Sequence, residues 1–492
     1  MLVTCSAMAG AEREFFANRD PEPWMDEAGR LCAAAVLDVF PAPSRAALYC
    51  GKGNNGGDAL VVGRWLKRLG WIVEIYFSDG PEGLSPLARK KLAEFEAELQ
   101  GGDPGCPGPR PLVLIDGIVG IGAKGDLRGS ARQLAADLNA RRIEAFATVF
   151  AIDLPSGFDA DTGHAGPDAV IADYTLTISA PKTGFAVEGA EHHVGRLVEI
   201  PLDIPLPPGD ESRRFLFPSN LRPRLRRRDF GMHKGDAGRV VITAGSPGYT
   251  GAAVLSALGA SRGGAGLVTL CVPSEIYPIV ASKAPPEVMV RTYRNFEEIG
   301  VLSAACHAVG PGLGPTPGAG MGSFLASSAI PVVVDADALN FLAREPKIFS
   351  RLPPARLLTP HPGEMARLVP GSGSGNRSEL ARSFADRTGL TLLLKGARTI
   401  VASPGRPLEF NTTGHPGMAS GGMGDVLTGL CAALVAQGQD LHDAASIGSW
   451  LLGRSAELAK RDLRIAGESL SAVMVAEHLG NALRDLQTTG SI

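Results

Sequence analysis

Short apolar runs rich in valine, isoleucine and leucine recur along this chain without the in–out alternation of a half-exposed strand, and helical patterns separate them. In the first half, the runs at 46–50, 71–77, 111–116, 148–153 and 174–179 read as strands, with helices over 59–69, 86–99 and 131–140 between them. A loop rich in glycine and proline is read at 101–110. The pattern restarts at Gly238, with strands read at 239–244, 267–272, 288–292, 308–310, 332–335, 357–359, 391–395 and 399–402. Three helices are read from about Val426 to the end. A strand that is apolar on both sides must be covered on both sides. The expected fold is therefore α/β, with parallel sheets in three-layer domains between helices. The 492 residues exceed one ordinary core and imply two or three domains. The boundary is read at 202–228, where Pro205, Pro207, Pro208, Pro218 and Pro223 deny the chain regular structure. Arg222, Arg224, Arg226, Arg227 and Arg228 in the same stretch read as a solvated linker.

With 45% hydrophobic and 20% charged residues the chain has the composition of a globular protein. A net charge of -3 gives no reason to expect nucleic acid as a partner. Seven scattered cysteines, with no C-x-x-C pair, argue against a disulfide framework and a zinc site. No signal peptide is read at the start, and the best candidate for a membrane span, 252–272, is broken by Arg262 and several glycines. A cytoplasmic protein with no membrane partner is expected.

Ligand chemistry concentrates in loops that follow the strands. The stretch Gly421-Gly422-Met423-Gly424-Asp425 opens an apolar helix that stops near Gly438. A helix start offers free N–H groups and the positive end of the helix dipole, which suits a phosphate. An acid in that place needs another task, such as taking a proton from a hydroxyl beside the phosphate. A Gly-rich turn with Asp425 as an ordinary cap is the competing reading of this motif alone. Four companion loops at 244–252, 310–314, 359–364 and 395–399 favour a site, because open α/β sheets bind ligands at strand ends.

The residues HKGDAG (233–238), GSPGYTGA (245–252), GPGLG (310–314), VDADALN (334–340), TPHPGE (359–364), LKGART (394–399) and GGMGDVLTG (421–429) make this half resemble the ribokinase superfamily, and within it the ADP- or ATP-dependent NAD(P)H-hydrate dehydratases. The resemblance implies a reduced nicotinamide ring hydrated at C6 as substrate, whose hydroxyl is phosphorylated and then eliminated. It implies Asp425 as the catalytic base and Gly422 and Gly424 as an anion hole. Lys395, Gly396, Ala397, Arg398 and Thr399 would line the nucleotide site, and Ala252, Gly312 and His361 would contact the hydrated nicotinamide nucleotide. ADP (or ATP) and Mg²⁺ are the implied cofactors, the metal being held by phosphate and water.

In the first half, Gly53-Asn54-Asn55-Gly56-Gly57-Asp58 follows a strand and precedes a helical pattern. Loops at 116–122 and 153–159 follow two more strands, and their Asn, Asp and Ser oxygens would suit a hard cation. Asn-Gly and Pro-Ser-Gly are also turn formers in their own right. With 172–185 these motifs make the half similar to the NAD(P)H-hydrate epimerases. The resemblance implies K⁺ on Asn55, Asp116 and Ser156, and Asp153 as acid/base on the hydrated ring. It implies phosphate contacts from Asn54, Asn55, Gly56, Gly57 and Asp58 and from the 120–126 loop with Gly120, Gly122 and Asp126. Where the family has phenylalanine-glycine-threonine-glycine, this chain reads Val119-Gly120-Ile121-Gly122, which removes a hydroxyl, so that a phosphate contact is expected to be either missing or moved to Lys124 or a backbone N–H.

Together the resemblances imply an epimerase domain over 1–215 fused to a dehydratase domain over 216–492. Such a bifunctional enzyme would interconvert R and S hydrates and return the S form to NADH or NADPH. The related families assemble into dimers or larger particles, so a homo-oligomer is implied. A ribokinase-like kinase of a small hydroxylated compound, carrying a non-catalytic nucleotide-binding module, also fits the glycine-aspartate motif. It leaves the first half and the TPHPGE loop unexplained.

Overall fold

The computed structural model describes residues 1–97, 110–122, 125–371 and 375–488. Most of the loop read at 101–110, the end of the helix read at 86–99, Cys106 and Lys124 lie outside them. The chain divides into two compact units, Met1–Arg213 and a second that begins at Arg214. No helix among the described residues is long and apolar enough to cross a membrane.

The first unit runs α1 (Cys5–Phe16), α2 (Glu22–Val39), β1 (Arg45–Cys50), α3 (Asn54–Arg68), β2 (Ile72–Phe77), α4 (Pro86–Ala97), β3 (Leu112–Gly117), α5 (Gly129–Glu144), β4 (Thr148–Ile152), β5 (Tyr174–Ile178), α6 (Glu191–Val194) and β6 (Arg196–Ile200). Its six strands pair in the order β2-β1-β3-β4-β5-β6, all parallel. Along β1, Ala46, Leu48 and Cys50 join an apolar cluster with Leu60 and Val62 of α3, while Ala47 and Tyr49 join another with Ala135 and Leu138 of α5. Successive strand side chains point to opposite faces, so burial on both faces is what erases the alternation.

Besides the one-turn α6, three elements of this unit go beyond the sequence expectation: α1, α2 and β6. Arg196 and Glu199 interrupt the apolar run of β6, which the edge of a sheet tolerates. A further difference concerns α3, which begins at Asn54 and not at Ala59. Asn54 to Asp58 are thus its first turns. A Cβ on Gly56 would stand 2.0 Å from the Gly51 carbonyl oxygen, and one on Gly57 would stand 2.9 Å from the Met25 sulfur. Close packing, which the helix propensity of glycine does not reveal, fixes both positions.

The second unit carries β7 (Arg213–Leu216), α7 (Pro218–Leu221), β8 (Arg239–Thr243), α8 (Thr250–Arg262), β9 (Leu267–Val272), α9 (Tyr277–Lys283), β10 (Met289–Thr292), α10 (Phe296–Gly300), β11 (Cys306–Val309) and α11 (Met321–Ser327). It continues with β12 (Val332–Val334), α12 (Ala336–Arg344), α13 (Pro346–Phe349), β13 (Arg356–Leu358), α14 (Pro362–Leu368), α15 (Arg377–Thr388), β14 (Thr391–Leu394), β15 (Ile400–Ala402), β16 (Leu408–Asn411), α16 (Met423–Ala436), α17 (Leu441–Leu463), α18 (Ala472–Glu477) and α19 (Leu479–Gln487). Ten strands pair in the order β10-β9-β8-β11-β12-β13-β14-β15-β16-β7. The sheet is parallel from β10 to β14 and antiparallel from β14 to β16.

The expected linker is corrected here. Residues 213–224 hold β7, α7 and a 3₁₀ turn. Pro218 sits at the first position of α7, where its missing N–H costs nothing. Arg224 is no solvated linker residue: its guanidinium forks onto the buried carboxylate of Glu409 at 2.6 and 2.8 Å. The chain also ends in four helices, not three, because the last apolar stretch breaks at His478 between α18 and α19.

Helix α16 is apolar on every side, and all of it except Gly424 and Asp425 is buried. It lies against α8 backbone to backbone. A Cβ on Gly259 would stand 2.2 Å from the Val426 carbonyl oxygen, and one on Gly429 would stand 1.9 Å from that of Ser256. Gly429→Ala is expected to lower the stability of the second unit by about 1–3 kcal/mol in denaturant unfolding, through overpacking. Gly480→Ala on α19, whose Cβ meets nothing within 4 Å, should leave it unchanged or slightly raised.

Candidate active sites

In the second unit the chain proceeds outward from β8 to β9 and β10, then returns to lay β11 on the other side of β8. A crevice forms at such a reversal, at the carboxyl ends of the strands. The two loops beside it are tied together. Gly245 N–H donates to the Pro311 carbonyl at 2.8 Å, and the Ser246 hydroxyl donates to the Gly312 carbonyl at 2.9 Å. Gly312 has φ +62, and a Cβ on it would meet that of Ala252 at 2.9 Å, so the two expected substrate positions are neighbours.

Asp335, at the end of β12, anchors the site. Its buried carboxylate accepts from Lys395 Nζ at 2.7 Å and from the Thr428 hydroxyl at 2.8 Å. One side chain therefore links β12, the end of β14 and α16. Lys395 Nζ also lies 3.7 Å from the Glu364 carboxylate. A Cβ on Gly424 would stand 3.3 Å from that ammonium and 3.7 Å from Asp335, so glycine is what lets the pair lie against the helix start. Burial first, then the Asp335 charge, push the neighbouring Asp425 carboxyl up to about 7, with Lys395 pulling the other way. Burial also works against the Lys395 charge, but Asp335, Glu364 and Asp425 outweigh it and raise its pKa. A carboxyl poised near neutrality is suited to proton transfer.

The other expected residues are placed as follows. Gly422, with φ +92, caps α16. The His361 imidazole caps α14 by accepting from Gly363 N–H at 3.0 Å, while Glu364 accepts from His361 N–H at 2.8 Å. Gly396, Ala397, Arg398 and Thr399 form the tight turn between β14 and β15. Arg377 holds it by donating to the Ala397 carbonyl at 3.0 Å, and Thr399 donates to that of Gly396 at 3.1 Å. The Arg398 guanidinium lies over Phe215, 5.3 Å from its ring centre. Sequence reasoning quoted Asp335, Glu364 and Thr428 within motifs but assigned them no part. An aspartate directly after the all-valine run of β12 was the available signal.

In the first unit the reversal lies between β1 and β3, with α3 and α5 on opposite faces. Gly51 N–H donates to the Gly117 carbonyl at 3.0 Å. Asp116 is fully buried, accepting from the Ser156 hydroxyl at 2.6 Å, Ser156 N–H at 2.8 Å and Ile118 N–H at 3.1 Å. Burial pushes its carboxyl up to about 6 against those bonds. Asn55 reaches the same loop: a Cβ on Gly120 would stand 3.4 Å from its Cγ. Its carboxamide Nδ2 is buried without a hydrogen-bond partner. Asn55, Asp116 and Ser156 are thus gathered around one turn of chain. No cluster of three or more His, Cys, Asp or Glu side chains among the described residues is arranged to hold a metal ion.

Asp153 follows β4 at φ +63, a conformation that L residues other than Asn and Asp rarely adopt. Its carboxylate accepts from Ile178 N–H at 3.1 Å and pairs with Lys182, which is fully buried. Sequence reasoning gave Lys182 no role. Asn54, Gly122 and Asp126 are exposed, whereas Gly56 and Gly57 are buried. Ile121, in the altered loop, packs against the cluster of Val3, Met8, Ala180 and Ile204.

Removing the Lys395 charge should raise the titration midpoint of Asp425 further above its ordinary range. Carboxyl-carbon NMR of Lys395→Met would record that rise. The same variant leaves Asp335 buried and unpaired, and is expected to lose about 3–5 kcal/mol of stability.

A family model described as NAD(P)H-hydrate dehydratase matches residues 240–476, and one described as YjeF-related protein N-terminus matches residues 22–184. The bifunctional NAD(P)H-hydrate repair enzyme Nnr of Moorella thermoacetica is 36% identical over 477 residues, covering 89% of this chain and 88% of its own. The enzyme of the same name from Escherichia coli K12 is 35% identical, covering 88% of this chain and 84% of its own. The crystal structure of an ADP/ATP-dependent NAD(P)H-hydrate dehydratase from Bacillus subtilis, co-crystallised with ATP and Mg²⁺, matches with a TM-score of 0.50 at 27% identity, covering 56% of this chain and 99% of that one. The chain belongs to the family of bifunctional NAD(P)H-hydrate repair enzymes.

Proposed function

We propose that the second unit dehydrates the S hydrate of NADH or NADPH at the expense of ADP or ATP, and that the first unit interconverts the R and S hydrates. The carrying observation for the dehydratase is the Asp425 carboxyl, raised to about 7 at the open end of a buried helix beside the Lys395–Asp335 pair. In this reading the α16 N-terminus and Gly424 receive transferring phosphate, with Lys395 supplying fixed positive charge. Asp425 takes the C6 hydroxyl proton as the oxygen acquires the phosphoryl group. The C6–O bond then breaks, phosphate leaves, and a C5 proton is lost to restore the ring. Ala252 and Gly312, neighbours at the crevice, would contact the nicotinamide nucleotide in this reading. Mg²⁺ fits as an ion carried on the nucleotide phosphates, because Lys395 already engages the carboxylates of Asp335 and Glu364.

For the first unit, Asp153 is the acid/base on the ring. The carboxamide oxygen of Asn55 and the Asp116 and Ser156 oxygens, gathered around one turn, would suit K⁺, which would supply a fixed positive charge beside the substrate phosphates. Assembly into a homo-oligomer is part of the same reading.

Incubation with S-NADH hydrate and ADP, or ATP, is expected to restore the near-ultraviolet absorbance of NADH. No recovery with either nucleotide overturns the dehydratase reading and leaves a kinase of another alcohol. Asp425→Ala should lower kcat by about a hundred- to ten-thousand-fold. A base acts when ionised, so kcat/KM should rise with pH through about 7 and then level off. Without nucleotide, the protein should equilibrate pure R hydrate with S, followed by chromatography, and Asp153→Ala should abolish this.

A further inference from the structure

Helix α1 precedes the 22–184 stretch that matches the family model, and its Glu12 lies within electrostatic reach of the Asp153–Lys182 pair. Met8, Glu12, Phe15 and Phe16 follow at helical spacing and form one stripe. Both ends of the stripe are fixed by packing. Met8 is buried with Val3, Ala180 and Ile204, and Phe15, Phe16 and Ile121 pack against the same cluster. Glu12 lies between them on the same stripe, half-buried, and is influenced by the charges of Asp153 and Lys182.

The helix start is held by four further hydrogen bonds. Thr4 accepts from Ala7 N–H at 3.1 Å, and Asp161 accepts from Cys5 N–H at 2.5 Å. Val3 brackets Lys182 in the backbone: its N–H donates to the Pro181 carbonyl, and its carbonyl accepts from Thr183 N–H, each at 3.0 Å. The placement of Glu12 is therefore built into the fold.

The charges around it are unbalanced. Glu12 and Asp58 both feel the charge of Asp153, and of the two only Glu12 feels the opposing charge of the buried Lys182, which pairs with Asp153. Burial, then the Asp153 charge, hold the Glu12 carboxyl up at about 7, against Lys182. Burial, Asp153 and Glu12 push Asp58 well above the carboxylate range. The Cys5 thiol is pushed up to about 12 by burial and by Asp161, and remains neutral. An acid and a base at one centre need carboxyl groups in different environments, and Glu12, half-buried on a helix, and Asp153, paired with Lys182, have them.

We propose that Glu12 is the general acid of the epimerase centre, working opposite Asp153 as the base; this rests on the epimerase reading above. The hydrated carbon bears both the hydroxyl and the ring nitrogen, so it can epimerise by opening. Asp153 takes the hydroxyl proton, and the O–H electron pair becomes the second C–O bond of an aldehyde. The C6–N1 bond breaks, its electron pair leaves on N1, and N1 takes the Glu12 proton. Rotation about C5–C6 turns the other aldehyde face to N1. Reclosure re-forms C6–N1, returns the N1 proton to Glu12 and the Asp153 proton to oxygen, and consumes no co-reactant.

The test follows R-to-S equilibration by the full-length protein without nucleotide, across pH. Wild-type kcat should fall above about pH 7, as Glu12 loses its proton. Glu12→Gln should lower kcat about a hundredfold or more with KM little changed, and should lose that alkaline limb. Wild-type kcat and an unchanged alkaline limb in Glu12→Gln overturn the proposal while leaving the epimerase reading intact. A wild-type protein that does not equilibrate the epimers overturns that reading, and the proposal with it. If Glu12→Gln unfolds, Glu12→Asp carries the test: it keeps an acid in a new position, so its alkaline limb should move, and an unmoved limb overturns the proposal.

Discussion

Parallel strands cannot be joined by tight turns, so each needs a crossover on one face of the sheet, and covering both faces forces the chain to reverse its direction of winding. In both units the reversal falls beside an early central strand, β1 in one and β8 in the other. The loops leaving the two strands at that point diverge to opposite faces, and the crevice between them receives the functional groups. Backbone bonds close each crevice at its floor, Gly51 to Gly117 and Gly245 to Pro311. Glycine is required there by contact: a Cβ on Gly51 would stand 1.8 Å from the Ile118 carbonyl oxygen. The glycine-rich loops are thus first a solution to packing two chain segments against each other, and the exposed N–H groups follow from it.

On this floor the second unit places a buried ion pair, an arrangement that contributes little net stability because two charges leave water. Lys395 and Asp335 persist with the help of Thr428 and against the demands of the apolar helix behind them. Burial does most to lift the Asp425 carboxyl to near neutrality, and their field adjusts the result, since Asp335 raises it further and Lys395 restrains it. The rigidity of α16, locked to α8 through Gly259 and Gly429, keeps that field fixed in place. A mobile helix start would let water screen the charges and return Asp425 toward its ordinary range.

The central parallel strands were legible in the sequence because burial on both faces writes a continuous apolar run, as in β1, β8 and β12. Three strands with charged residues were not: β6, at one edge, carries Arg196 and Glu199, β7, at the edge of the other sheet, carries Arg213 and Arg214, and β16 beside it carries the buried Glu409. The 202–228 stretch was misread because its prolines fall at the start of short elements, and because Glu409, the partner that buries Arg224, lies far along the chain. In the sites, Asp425 and Asp153 stood out through the loops around them. Asp335, Lys182 and Glu12 did not, since what distinguishes each is a partner brought close only by the sheet or by helix packing. Pairing across the fold leaves no local pattern for a single sequence to display.

The two units solve one electrostatic problem in the same way despite having different sheets. Each holds a lysine against the carboxylate that ends a strand, Lys395 on Asp335 and Lys182 on Asp153. Each then sets a further carboxyl beside that pair on a helix arriving from outside the strand order: Asp425 on α16 and Glu12 on α1. Burial and the neighbouring carboxylate lift the newcomer while the lysine limits the rise, and in both cases the balance falls at about 7. The pair therefore does more than neutralise itself. It places a second carboxyl in a setting where it can gain or lose a proton near neutrality. The acid–base capacity of each crevice then depends on how firmly its helix is docked, which explains why α16 is buried on all sides and why α1 is fastened by Thr4, Asp161 and the Val3 bridge.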